Sequence, residues 1–132
     1  MPVTHVNPKS LPSNPAFSHA TIAEAGRTLY IGGQNGVLPD GSIPPDPAEQ
    51  TRVALRNILT ILDEAGATQR DVAKLTIILV DTVDIQAGYA ASREVWGDVP
   101  TAITALRVSA LGRPDALVEI EAIASLPAPA AT

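Results

Sequence analysis

Residues 117–124, Leu-Val-Glu-Ile-Glu-Ala-Ile-Ala, concentrate the side chains best suited to chemistry. Read as a strand they alternate: Val118, Ile120, Ala122 and Ala124 on one face, Glu119, Glu121 and Ile123 on the other. The apolar set suits a core covered by helices. Two carboxylates on the opposite face are costly unless that face is wet or paired. A glutamate lining a cleft there can orient water as a general base. A solvated face or a cross-strand ion pair explains the same pattern without catalysis. In the preceding strand, residues 102–110, Leu106 and Val108 match the core face, and Ile103, Ala105 and Arg107 share the other. With Gly112-Arg113-Pro114-Asp115 as the turn of a hairpin, Arg107 falls opposite Glu119. A sugar-cleaving acid/base pair fits poorly, because no aromatic platform accompanies the carboxylates.

Other reactive patterns are weaker. Gly32-Gly33-Gln34-Asn35-Gly36 is glycine-rich but lacks the Lys-Ser/Thr ending of a phosphate loop and does not open a helix. It reads as a flexible strand end or as backbone able to approach a ligand. Ser92, Thr104 and Ser109 have no histidine nearby in sequence, so a Ser-His-Asp arrangement has no support. His19 is a lone candidate base, a position more often structural.

The elements that position these residues follow from pattern and punctuation. Residues 1–16 read as an irregular, proline-bearing arm. Short strands are expected at 18–23 and from Thr28 into the glycine run, with a turn at Leu38-Pro39-Asp40-Gly41. Asp46, Pro47 and Glu49 form a helix start with a capping box, and Gly66 a stop. Between them Ala54, Ile58, Ile61, Leu62 and Ala65 make an apolar stripe. Residues 72–80 are apolar on both faces, as in a central strand covered on both sides. In so small a chain the second cover is expected to be another subunit. A second helix over about 85–96 puts Ile85, Tyr89 and Trp96 on one face, and the tail 126–132 reads as disordered. The order β-β-α-β-α-β-β predicts an α+β fold with helices on one face of a mixed sheet, in one domain spanning 1–132.

Composition narrows the function. The 132 residues are 45% hydrophobic, enough for a core, but hold only one Trp, two Tyr and one Phe, so that core is aliphatic. A net charge of −5 provides no basic field for nucleic acid or an acidic membrane. Absent cysteine removes thiol chemistry, and two histidines make a multi-His metal centre unexpected. No apolar run reaches the roughly 20 residues that span a bilayer, and no signal peptide is seen, so a cytoplasmic location is expected.

Several segments together resemble the Rid (reactive intermediate deaminase) or YjgF-like family, whose older label is endoribonuclease. They are Phe17-Ser18-His19-Ala20, Leu29-Tyr30-Ile31-Gly32-Gly33-Gln34, Glu49-Gln50 with Leu55-Arg56-Asn57-Ile58, Asp63-Glu64-Ala65-Gly66, Asp71-Val72-Ala73-Lys74-Leu75, and above all Val118-Glu119-Ile120-Glu121-Ala122-Ile123-Ala124. The resemblance covers about residues 15–125. It implies a chorismate-mutase-like homotrimer: three sheets form an inner barrel, helices lie outside, and ligand clefts sit between subunits. It also implies hydrolysis of imines or enamines to carbonyl compounds and ammonia, with no cofactor.

Carried over by position, the resemblance makes Glu119 the water-orienting group and Phe17 the substrate cover, where the family often has Tyr. Gly33 and Gln34 become backbone ligand contacts. Tyr89 stands where Asn is frequent, and Gly32 where Ser is common. The family's carboxylate-clamping Arg is missing: Pro100-Thr101-Ala102-Ile103-Thr104 replaces Pro-Ala-Arg-Ser, and Ile103 aligns with the Arg after a one-residue insertion. The expected substrate is therefore a small molecule other than a standard 2-imino acid. Arg107 is the candidate replacement cation, with Arg93 and Arg113 behind it. A non-catalytic, ligand-binding or chaperone-like trimer is the alternative, and RNA cleavage is disfavoured by the acidic charge.

Overall fold

A computed structural model describes residues 3–127. The elements are β1 (Val3–Val6), β2 (Ala20–Ala23), β3 (Thr28–Asn35), α1 (Pro47–Glu64), a 3-10 turn (Gln69–Asp71), β4 (Val72–Val80), α2 (Ile85–Trp96), β5 (Ala102–Val108) and β6 (Val118–Ser125). The expected β-β-α-β-α-β-β series is present, preceded by one further strand. The N-terminal arm is thus not irregular throughout: β1 pairs antiparallel with β2, and Val3 is buried. Most of the tail expected to be disordered, residues 128–132, lies outside the described residues.

The main sheet has the order β3-β6-β4-β5. β6 runs antiparallel to both β3 and β4, while β4 and β5 are parallel and joined across α2. β4 is therefore central, as its two-sided apolarity requires. The last two strands do not form a hairpin: β4 lies between them. A turn at residues 112–115 is compatible with either connection, so local signals alone do not fix the pairing.

Both helices lie on one face of the sheet. Ala54, Leu55, Ile58 and Leu62 of α1 are buried against Val118, Ile120, Ala122 and Ala124 of β6 and Leu75 and Leu79 of β4. Burying each of the larger aliphatic side chains contributes about 1.5–3 kcal/mol, which makes α1 the principal cover of the sheet. Pro47 opens α1, but the expected capping box does not form. Asp46 makes no side-chain cap, and Glu49 instead binds Arg52 at 2.9 Å and Arg56 at 3.6 Å. The stop is as expected: Gly66 takes φ +78°, while Ala67 N donates to Leu62 O and Gly66 N to Asp63 O.

Gln50, fully buried at the start of α1, ties the helix to the strand that carries Glu119. Its Nε2 donates to Pro44 O (2.9 Å) and Asp115 O (3.1 Å), and its Oε1 accepts from Leu117 N (2.8 Å). α2 leans on α1 through an Arg52–Glu94 pair at 2.8 Å. Hydrogen bonds from Arg52, then its charge, hold the Glu94 carboxyl below the ordinary glutamate range. Only Ala91 and Trp96 of α2 are buried, so this helix covers the β4–β5 side incompletely.

Candidate functional site

The face of the sheet away from the helices carries the polar residues. Glu119 lies opposite Ile78 of β4 and Asn35 of β3; Glu121 lies opposite Thr76. Glu119 is half-buried, and Asn35 Nδ2 donates to its Oε1 at 3.2 Å and to Val118 O at 3.1 Å. Two constraints thus fix one carboxylate oxygen: the strand register and a neutral donor. Glu119 takes part in no ion pair among the described residues.

Gly33 sits in a register shift of β3 between Ile31 and Gln34. Its backbone lies flush against Glu119: a Cβ there would stand 2.7 Å from Glu119 Cδ and 2.9 Å from Cγ. The residue is glycine because the carboxylate occupies the side-chain space. Gln34 pairs with Ile120 and folds its amide back onto Gly32 O at 3.1 Å. Gly33 and Glu119, both singled out from sequence, are thus brought into contact.

Two expectations about β5 are overturned. Arg107 does not face Glu119; it lies opposite Leu79, and its Nη1 donates to Asp81 O (2.9 Å) and Val83 O (3.2 Å). Ile103 likewise pairs with Leu75, and Ala105 with Ile77, so these residues share the helix side of the sheet. Thr104 and Leu106 share the side of Glu119 instead. The reason is that β5 is an edge strand. Residues 104–107 are all exposed, so alternation of apolar residues there does not report which face is inward. Of the remaining arginines considered, Arg113 pairs with Asp115 (3.3 Å) and Arg93 with Asp98 (3.2 Å).

The other expected site residues meet on the helix side. Phe17, Tyr89 and Ile103 line one apolar cavity of about 300 Å³ between α2, β4–β5 and the arm. The residues nominated from sequence therefore divide between the two faces of the sheet: Gly33 and Glu119 on one, Phe17, Tyr89 and Ile103 on the other.

Two polar residues on the Glu119 side were not singled out from sequence. Asn35 ends the glycine run, and its role depends on register with β6. Lys74 projects beside Thr76 and Glu121 into a shallow trough of about 270 Å³, its Nζ bonded to Thr104 Oγ1 at 2.7 Å. Its place in an apolar strand was the available signal. His19 bonds Pro12 O at 2.7 Å and packs edge-on to Phe17, while His5 Nδ1 meets Ser18 Oγ at 2.7 Å. Both histidines thus tie down the arm. No group of three or more His, Cys, Asp or Glu among the described residues is placed to hold a metal ion.

This fold, with an α+β sheet covered on one face and a glutamate on the other, defines a class that comparison with known proteins makes specific. The family described as endoribonuclease L-PSP matches residues 8–126. A RutC family protein of Pyrococcus horikoshii is 37% identical over 112 residues, 83% of this chain and 88% of its own. A rat protein named 2-iminobutanoate/2-iminopropanoate deaminase is 34% identical over 116 residues, 83% of this chain and 79% of its own. Among solved structures, the Rid-family protein YyfB of Yersinia pestis superposes with a TM-score of 0.85 at 34% identity, covering 96% of this chain and all of that one. The chain belongs to the Rid/YjgF family, the family described as endoribonuclease L-PSP.

Proposed function

We propose that the chain is a Rid-type hydrolase of an imine, enamine or related small molecule, with Glu119 steering the water. The observation that carries this reading is the Glu119 carboxylate: half-buried on the helix-free face, held by Asn35, and free of any cationic partner among the described residues. A carboxylate neutralised by arginine is a poor base; this one retains its basicity for water. The deaminase name of the rat relative supports the reaction class. In the proposed step a water oxygen bonds to the imine carbon while Glu119 accepts a water proton. The proton passes to nitrogen, the C–N bond breaks, and ammonia leaves a carbonyl compound.

The expected setting is a cleft between subunits of a homotrimer in the cytoplasm, with no cofactor. Exposed Tyr30, Leu106 and Ile123 on the same face as Glu119 favour an oligomer, since they offer apolar area that a neighbouring copy would cover. No arginine stands beside Glu119, so a substrate without the usual 2-imino-acid carboxylate is favoured. The decisive experiment measures ammonia and carbonyl product from imines generated in situ by an amino-acid oxidase. Wild type should exceed buffer and Glu119→Gln should not; if both match buffer, the reading fails. Light scattering gives the mass of the assembly, and a monomer removes the proposed cleft.

The missing arginine also favours a second reading, a trimer that binds small molecules without turning them over. Tight binding of an imine analogue with no conversion of the imine itself would select it.

A further inference from the structure

The helix-side cavity has features that covering a core does not require. α2 carries Gly88 in its interior, where glycine is the least favourable residue after proline. Gly88 does not need glycine's freedom, because its φ is not positive. Nor does packing demand it: a Cβ at Gly88 would meet nothing within 4 Å. The opposite wall is also cut back, with Ala105 on β5 beside Ile103. Small residues on both walls keep open a space of about 300 Å³, at the lower end of the range for small-molecule sites. The lining is aliphatic and aromatic, with Trp96 and Phe17 supplying flat surfaces. One cation stands at this site: Arg93, whose guanidinium lies 6.0 Å from the Tyr89 ring centroid. Its ionic partner among the described residues is Asp98, 81% exposed, a contact that water and a competing acid can readily replace.

We propose that this cavity is a binding site for a small ring-bearing apolar molecule with one acidic group directed at Arg93. It lies across the sheet from Glu119 in the same chain, and the inference does not depend on the hydrolase reading. Trp96, the chain's one tryptophan, lines the cavity and reports occupancy directly. The test titrates the full chain with 4-nitrobenzoate and with nitrobenzene, both quenchers of indole fluorescence. Wild type should give saturable quenching at one probe per chain. Gly88→Leu puts a side chain into the space and should weaken binding by at least about tenfold, or 1.4 kcal/mol. Ala105→Leu does the same from the other wall and covers the case in which the first variant does not fold. Arg93→Gln should weaken the acid by roughly tenfold and leave nitrobenzene unchanged. Glu119→Gln should bind both probes as wild type does. Quenching that rises without saturation overturns the proposal, as does wild-type affinity in both leucine variants. Equal treatment of the two probes by Arg93→Gln overturns its acidic end, and weakened binding in Glu119→Gln overturns the separation of the two sites.

Discussion

Consider Gly33→Ala. The added Cβ would begin 2.7 Å from Glu119 Cδ, whereas a comfortable carbon–carbon contact is about 3.5 Å. The carboxylate must therefore retreat by about 0.8 Å, the difference of those two distances. It can do so because Glu119 is half-buried and its side chain is flexible, but it then leaves Asn35 Nδ2. The lost hydrogen bond to a charged acceptor costs about 1.5–3 kcal/mol, and alanine in place of a strand glycine returns about 0.5–1. The net destabilisation is about 1 kcal/mol, a few degrees in Tm for a chain of this size. The effect on rate should be far larger. Misplacing a catalytic group by about 1 Å costs about 10²-fold, or about 2.7 kcal/mol of barrier. The assay compares kcat/KM for imine hydrolysis with Tm on the same preparations at equal protomer concentration. A rate within about threefold of wild type refutes the reasoning, since a displaced carboxylate must lose its hold on water. Rate loss that appears only together with unfolding refutes it too.

Further outcomes follow from the same contacts. Gly36→Ala should destabilise by about 1–3 kcal/mol in denaturant unfolding, because its Cβ would stand 2.6 Å from Gln50 O and 2.7 Å from Gln50 Cα, backbone atoms that cannot swing aside. Gln50→Leu strands Leu117 N, Pro44 O and Asp115 O, and should cost about 3–5 kcal/mol while also lowering activity through β6. Because the Glu94 carboxyl is depressed by Arg52, its contribution is present above the ordinary glutamate range and fades as pH falls through its lowered value. Glu94→Gln should therefore show a small Tm deficit near about pH 7 that closes toward about pH 3 and is absent in about 1 M salt.

What could be read from sequence was what local chemistry decides. α1 ends at Gly66 because a left-handed residue stops it, and α2 matches its expected span because Asp84 accepts from Gln86 N and Gly97 turns the chain away. β4 and β6 declared their depth through apolar content. The capping box was misread because Arg52 and Arg56 compete for Glu49, and their approach depends on the folded helix surface. The pairing of β5 was invisible: a parallel neighbour joined through a helix leaves no mark in residues 102–108 themselves. The candidate site divided for that reason. Gly33 and Glu119 met because β3 and β6 pair as their patterns allow, whereas Arg107 was assigned to Glu119 by assuming a hairpin. Lys74 and Asn35 gained meaning only once the strand order was known.

The insertion of β6 between β3 and β4 has a consequence for how the molecule comes into being. During synthesis every other strand of the sheet emerges before it, yet none of them can complete the layer, because the middle position belongs to a segment still to be made. Until residues 118–125 arrive, β3 and β4 each present an unmatched ladder of amides and carbonyls, and the apolar stripe of α1 lacks its largest floor. Nascent chains therefore wait open, exposed to wrong pairing, and close in one late step. That same step delivers Glu119, so no partly built version of this protein carries its carboxylate in place before the sheet is whole.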